Sequence, residues 1–291
     1  MAAQVTAQQI VERIQKNLGV PWKAPSTDIF YAGKPEMQVT GIVTTWTPSL
    51  EVLQRAVAGK KNLIIARESP YWAHEAQEAQ SSGAGRPFSR EQMGGDPTYQ
   101  FKRDFIAKNN LVIWRFFDNW NARKVDGQLH ALCAALGWDK LRKNAGEPAH
   151  HEYFTLPETS LGQLVATVQG RLKLRAPRIL GDAGAPVRKV AVTHGFLLVP
   201  ELTKVLEEPG VDVVVAGEPV EWEALPYFED WITAGKGKGM IILGSEGSEE
   251  PGSGEVATWL KTFVPEVPIE WIPAGEPFWV AGAKKTTGGA R

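Results

Sequence analysis

The sequence has little of several features that would point directly to a class of protein. It has a single cysteine, Cys133, among 291 residues, which excludes an internal disulfide and a cysteine-rich zinc site. Its 32 basic and 33 acidic residues nearly cancel, so charge gives no reason to expect nucleic-acid or anionic-membrane binding. No apolar run approaches the roughly 20 residues that span a bilayer, and the first ten residues lack the parts of a secretory leader. We therefore expect a soluble, cytoplasmic protein in which Cys133 is an inert thiol in an apolar helix.

Tryptophan, by contrast, is abundant. The chain has eleven tryptophans, and Trp72, Trp114, Trp120 and Trp222 fall close to polar segments. Packing in the core and at interfaces is the commoner role of such residues. Walls of a ligand pocket are the sharper interpretation, because an indole combines an apolar face with one hydrogen-bond donor. The sequence leaves both roles open.

The order of helix and strand signals predicts an α/β protein. Thr6 and Gln9 form a capping box ahead of a helix whose apolar stripe includes Ile10 and Ile14. A strand at residues 39–45, a helix that Thr47 caps, and a strand at 62–66 form a βαβ unit, hence a parallel and mostly buried sheet. Further helices are predicted at residues 98–108, 126–136, 160–172, 200–207, 222–232 and 255–263, and further strands at 111–116, around 153, and at 189–193, 211–216, 240–243 and 269–272.

We expect two facing α/β lobes with mostly parallel mixed sheets. The first lobe spans residues 1–141, and the second spans residues 142–291 and ends in a disordered tail. Residues 142–150 read as the linker between them, and 83–97 as a loop near the site.

Polar side chains follow four of the predicted strands. Ligands of open α/β sheets bind just beyond the carboxyl ends of strands, so these residues are expected around one cleft between the lobes. Carboxylates and an amide suit Mg²⁺ or Mn²⁺, or a cationic group of a ligand. His194 also follows a strand, but a lone histidine there is more often structural, and His150 and His151 read as part of a turn. The candidate site residues are Arg67, Glu68, Asp118, Asn121, Glu218, Ser245 and Glu249.

These segments resemble the NIF-three-like dinuclear-metal family, whose members are often described as GTP cyclohydrolase I type 2. In that family one strand is followed by His-His-Pro or a His-Glu variant, and another by a segment such as His-Thr-x-x-Asp. The C-terminal part contains Gly-His-x-x-Ser-Glu. The corresponding segments here are Arg-Glu-Ser-Pro at 67–70, Phe-Asp-Asn-Trp-Asn at 117–121 and Gly-Ser-Glu-Gly-Ser-Glu at 244–249. Framework stretches at 39–43, 216–218 and 249–252 extend the resemblance over nearly the whole chain.

The resemblance implies a toroidal homohexamer and two metal ions, held in the family by paired histidines, an aspartate, a late histidine and a late glutamate. Only Glu249 matches a ligand clearly, and Asn121 or Asp118 takes the aspartate position, depending on alignment. Arg67 places a permanent cation where a divalent ion would lie. An ion pair of Arg67 with Glu68 or with Glu249 is therefore expected to replace the metal. The alternative is one weakly bound Mg²⁺ or Mn²⁺ on Glu68, Asp118 and Glu249.

Three functions follow from these readings. The first is a ligand-binding or scaffold protein, a homo-oligomer with a degenerate dinuclear metal site and without a nucleic-acid or membrane partner. The alternative is a metal-dependent hydrolase of cyclohydrolase or phosphohydrolase type, in which bound ions lower the pKa of a bridging water. The third is a metal-independent enzyme that uses Glu68, Asp118 and Glu249 as acid and base. No feature names the small-molecule ligand.

Overall fold

The structure, a computed structural model, describes residues 5–72, 93–124, 126–141 and 150–281. The chain forms two compact units. Unit 1 comprises Met1–Arg123 and Ser253–Ala274, and unit 2 comprises Lys124–Gly252 and Gly275–Arg291. The sequence placed the division at 141/142 with two continuous lobes, whereas here the chain leaves unit 1 after Arg123, returns to it at Ser253 and passes to unit 2 again at Gly275. Most of the predicted loop at 83–97, most of the linker and the whole of the predicted tail at 283–291 lie outside the described residues.

Strands and helices alternate through most of the chain, as the sequence predicted. In chain order the strands are β1 (Phe30–Ala32), β2 (Ile42–Thr45), β3 (Leu63–Ala66), β4 (Val112–Arg115), β5 (His151–Ser160), β6 (Arg178–Gly181), β7 (Pro186–Thr193), β8 (Phe196–Leu197), β9 (Val213–Ala216), β10 (Glu218–Pro219), β11 (Gly239–Ile242) and β12 (Ile269–Trp271). The α-helices of the described residues are α1 (Ala7–Asn17), α2 (Leu50–Ala58), α3 (Pro97–Lys108), α4 (Asp118–Asn121), α5 (Gly127–Ala135), α6 (Leu161–Leu172), α7 (Val199–Val205), α8 (Glu221–Thr233) and α9 (Gly244–Leu260).

Unit 1 contains a five-stranded sheet in the order β1-β4-β3-β2-β12. Only β1, at one edge, runs antiparallel to its neighbour. All four residues of β3 are buried, as expected for a parallel strand that helices cover on both faces. Leu63 and Ile65 join the core cluster that includes residues of α1 and α9, whereas Ile64 joins the cluster formed with α2 and α3.

Unit 2 contains a second five-stranded sheet, in the order β5-β7-β9-β11-β6. The three central strands are parallel, and the edge strands β5 and β6 are antiparallel to their neighbours. The prediction of an α/β class with mostly parallel mixed sheets is therefore confirmed. Strand β6 was not predicted, because none of its four residues is buried and it carries no apolar alternation. A separate pair of short parallel strands, β8 and β10, lies beside Gly195 and Gly217.

Helix starts show where local signals were sufficient. Thr6 caps α1 in the predicted capping box with Gln9. The prediction that Thr47 caps α2 was wrong, because the side chain of Ser49 accepts the hydrogen bond from the backbone N–H of Val52. Helix α9 begins at Gly244, eleven residues before the predicted start at 255. Its first half contains several glycines and Pro251, which lower helix propensity, so packing rather than local preference stabilises this stretch.

The buried residues agree with several of the sequence predictions. Cys133 is fully buried. Trp114 and Trp120 belong to the core of unit 1, whereas Trp72 and Trp222 are 56% and 77% exposed. Tryptophan therefore serves packing at two of the four sites singled out. No helix in the described ranges is long and apolar enough to cross a bilayer.

Candidate functional site

The candidate site residues divide between the two units. Arg67, Glu68, Asp118 and Asn121 belong to unit 1, and Glu218, Ser245 and Glu249 belong to unit 2. The contacts of these residues are therefore described separately for each unit. The prediction that all of them line one cleft stays a prediction.

The end of strand β3 carries an ion pair. The guanidinium of Arg67 donates to the carboxylate of Glu68, the next residue. The same guanidinium lies over the ring of Phe117, with its carbon 3.7 Å from the ring centroid. One of the two ion pairs proposed from the sequence is thus present, with an aromatic face that helps to fix the guanidinium.

Arg115 is a functional candidate that sequence reasoning missed. It is the last residue of β4, pairs in register with Ala66 of β3, and is buried. Its Nε donates to the backbone oxygen of Arg67 at 2.8 Å, and its guanidinium carbon lies 5.3 Å from the Phe117 ring centroid. A signal was available, because an arginine within an otherwise apolar strand is rarely buried without a specific role.

Asp118 follows β4 and starts the short helix α4, and it is held by hydrogen bonds of the chain itself. Its Oδ2 accepts a hydrogen bond from the backbone N–H of Thr27 at 2.8 Å. The backbone N–H groups of Phe117, Asp118 and Asn119 donate to the carboxylate of Asp28. Burial raises the pKa of Asp28, although these hydrogen bonds oppose the rise. The carboxylate of Asp28 therefore fixes the backbone that positions Phe117 and Asp118.

Asn121 lies at the other end of α4. Its Oδ1 is buried and has no hydrogen-bond partner among the described residues.

In unit 2, two of the predicted site residues contact each other directly. The hydroxyl of Ser245 donates to Oε2 of Glu218 at 2.6 Å. Ser245 lies in the first turn of α9, and Glu218 begins β10. The residues that follow β9 and β11 therefore meet in this pair.

The other predicted residue of unit 2, Glu249, is part of a buried acid–histidine–acid group. Its Oε1 lies 3.1 Å from Nδ1 of His194, and Oδ2 of Asp126 lies 3.0 Å from Nε2 of the same ring. The side chains of Glu249, Asp126 and His194 are 0%, 3% and 8% exposed. Because both ring nitrogens face carboxylate oxygens, the hydrogen bonds are satisfied best when the ring carries both protons.

The electrostatics of this group favour an imidazolium. Burial lowers the pKa of His194, but the charge of Asp126 and hydrogen bonds to Asp126 and Glu249 outweigh it and raise the pKa to about 9. Burial also opposes ionisation of Asp126, yet the charge of His194 and hydrogen bonds from His150 and His194 hold the pKa of that carboxyl well below its usual range. At neutral pH the group therefore holds one cation between two anions.

Backbone N–H groups hold Asp126 and the residue before Glu249 in place. Asp126 caps helix α5 by accepting from the N–H groups of Gln128 and Leu129. The N–H of Gly195 donates to the hydroxyl of Ser248, one residue before Glu249. The interpretation of His194 as structural agrees with this environment, but the sequence did not identify its two carboxylates.

The raised pKa of His194 predicts a pH dependence of stability. The pKa is higher in the folded chain, about 9, than the ordinary 6.5, so its contribution is complete below pH 6.5 and is lost as the pH rises through 9. The groups that face the imidazole are Asp126 and Glu249, with His150 on the far side of Asp126. Complete deprotonation should lower the free energy of unfolding by about 3 kcal/mol.

Urea unfolding between pH 6.5 and 9 measures this loss. The variant His194→Gln is the matched control, because other groups that titrate in this window are the same in both proteins. A wild-type curve that runs parallel to that of the variant across the window would contradict the prediction.

The residues do not fit the dinuclear centre that the resemblance implies. Glu68 is paired with Arg67, Asp118 accepts from Thr27, and Glu249 faces His194. Among the described ranges, no group of three or more His, Cys, Asp or Glu side chains is arranged so that it could hold a metal ion. The donors that a transition metal would need already serve side-chain cations and the backbone.

Comparison with known proteins shows which solved structures have a similar fold. No family model and no curated protein matches the sequence. A Bacillus cereus protein related to NIF3 is 14% identical, with 95% of this chain and 99% of that chain covered and a TM-score of 0.68. Protein ybgI, of unknown function, is 20% identical, with 94% and 100% covered and a TM-score of 0.67. Staphylococcus aureus protein SA1388 is 15% identical, with 95% and 99% covered and a TM-score of 0.67. As the sequence resemblance predicted, this chain has a NIF3-like fold.

Proposed function

We propose that this protein is a metal-independent ligand-binding or scaffold protein with a degenerate dinuclear metal site. One observation carries the proposal: Arg67 pairs with Glu68 and lies against Phe117, where the family resemblance puts a metal ligand. A guanidinium keeps its charge at any pH of interest and repels a divalent ion within a few ångströms. Glu249, the residue that clearly matches a metal ligand of the family, likewise faces a cation, the imidazolium of His194.

Elemental analysis of the purified wild-type protein tests the proposal. We expect zinc, iron and nickel well below one ion per chain, with at most one weakly held Mg²⁺ or Mn²⁺. The variant Arg67→Gln removes the cation beside Glu68, so its affinity for Mn²⁺ in calorimetric titration should exceed that of the wild type. Arg103→Gln, an exposed change in the same unit, is the control. Two tightly bound transition-metal ions per wild-type chain would favour the metal-dependent hydrolase instead.

The homo-oligomer and its hexameric form are a separate part of the proposal. Light scattering at micromolar concentration measures the assembly directly, and a monomer there would refute it. This outcome does not depend on the metal content.

A further inference from the structure

Among the described residues, most of the large apolar side chains that are exposed belong to unit 2. On β8 and just after it, Phe196 and Leu198 are exposed on either side of buried Leu197, so both point away from the core. Strand β10 pairs with β8 and leads to α8, where Trp222 lies exposed in the first turn. We call Phe196, Leu198 and Trp222 the apolar patch. Exposed apolar groups of this kind mark interaction surfaces.

A second exposed apolar feature lies near the end of unit 2. This C-terminal segment consists of three exposed residues outside the helices and strands, Phe278, Trp279 and Val280. Just before it, the carboxylate of Glu276 accepts hydrogen bonds from the backbone N–H groups of Arg175 and Ala176. The guanidinium of Arg175 donates to the backbone oxygen of Glu276. The chain is therefore anchored at Glu276, and the apolar residues that follow face solvent.

The patch and the segment belong to the same part of unit 2. The carboxylate of Glu276 is held at Ala176. Two residues later, Arg178 pairs with Glu221, the neighbour of Trp222, and two residues of chain span at most about 7 Å. The segment nevertheless leaves the patch of its own chain uncovered, since the side chains of both remain exposed.

The charges beside the two features are complementary. Glu221 has Arg178 as its partner, whereas Glu218 and Glu223 have no cationic partner among the described residues. The C-terminal segment contains no acidic residue, and Lys284 and Lys285 follow it in the sequence. Opposite charges beside apolar side chains favour one orientation of docking over others.

The aromatic surface is large enough for an interface. Its main contributors are four side chains that are 62–77% exposed, Phe196, Trp222, Phe278 and Trp279. An aromatic side chain buries about 150–250 Å², so covering all four removes on the order of 500 Å² from solvent in each copy. Two copies that cover each other bury about 1,000 Å², which is the area expected of a specific interface.

We infer that the C-terminal segment of one copy docks on the apolar patch of a second copy, and that the second copy returns the contact. The inference rests on the proposed homo-oligomer and names the surface that forms it. A two-fold interface uses the same surface of both copies. Because segment and patch lie in the same part of each chain, the two contacts form together.

Two double variants test this interface by light scattering at micromolar concentration. The segment variant carries Phe278→Ser and Trp279→Ser, and the patch variant carries Phe196→Ser and Trp222→Ser. Each should lower the average mass to about half that of the wild type or less, because aromatic anchors supply most of the binding energy of an interface. Phe101→Ser, at an exposed aromatic residue of unit 1, is the control and should keep the wild-type mass.

A mixture of the two double variants separates docking of a segment on a patch from pairing of two patches. The segment variant keeps its patch and the patch variant keeps its segment, so one of the two reciprocal contacts can form between them. The mixture should therefore have a higher average mass than either variant alone. A segment variant with the wild-type mass, or a mixture without any gain in mass, overturns the inference.

Folding and assembly are checked separately. The changed residues are exposed, so the urea midpoints of the variants should match that of the wild type. Should a double variant unfold, Trp279→Ser alone, outside the helices and strands, makes the same test. A monomeric wild type ends the homo-oligomer and this inference together. An oligomeric wild type whose mass is unchanged in the variants ends this inference alone.

Discussion

Replacing His194 by glutamine should lower the free energy of unfolding by about 3–5 kcal/mol, the usual result of removing one partner from a buried ion pair. The wild-type ring lies between Asp126 and Glu249, and all three side chains are almost wholly buried. Glutamine offers donors but no charge, so the two carboxylates would remain in a poorly solvated site without their cation. Urea or guanidinium unfolding at neutral pH gives the change directly.

Two further variants make this result specific. His151→Gln is the matched control, because His151 is a half-buried histidine of the same unit that packs against Tyr153 and not against this group. The free energy of unfolding should fall much less in His151→Gln than in His194→Gln. The effect of His194→Gln should also shrink in a Glu249→Gln background, because only one buried carboxylate then lacks its cation. Equal losses in the two backgrounds would show that the imidazole contributes packing and not charge.

Replacing Gly217 by alanine should destabilise the chain by about 3 kcal/mol, the upper part of the range for overpacked sites. A methyl group there would overlap the backbone N and O atoms of Gly195 and lie 2.7 Å from the carbonyl carbon of His194. Backbone atoms cannot rotate away as the end of a side chain can. The N–H of Glu218 donates to the oxygen of Gly195 at 2.7 Å, and the substitution should break this bond too.

Gly170→Ala provides the contrast, because a methyl group at this exposed position in α6 meets no atom within 4 Å. It should stabilise the protein by about 0.5–1 kcal/mol, the gain from alanine over glycine inside a helix. Chemical unfolding of both variants measures the two effects. A Gly217→Ala protein as stable as the wild type would mean that β8 and β10 separate without cost.

Local signals predicted the elements well where they acted alone. The capping box at Thr6 and the apolar runs of β3 and β9 required no information from distant residues, and both strands are buried throughout. Helix α9 was misjudged because Pro251 and its neighbouring glycines give a poor local preference, which packing of the helix in the core of unit 1 overcomes. Strand β6 was missed because edge strands need no buried face.

The candidate site could be predicted only in part. Sequence position identified Arg67 and Glu68 as adjacent residues at a strand end, so their ion pair followed from local chemistry. Asp126, His194 and Glu249 are separated by 68 and 55 residues, and nothing local indicates that they meet. Arg115 required knowledge of the register between β3 and β4, which brings it beside Ala66. Pairings of this kind are set by the fold as a whole.

The return of the chain to unit 1 at Ser253, after most of unit 2, has a consequence for synthesis on the ribosome. Strand β2 pairs with β3 on one side and with β12 on the other, and β12 begins only at Ile269. A nascent chain therefore carries an open sheet edge at β2 while the whole of residues 124–252 is made, and such edges promote pairing between chains. Unit 2 has its complete sheet by Ile242 and can fold first. The sheet of unit 1 can therefore close only after β12, at Ile269–Trp271, has been made.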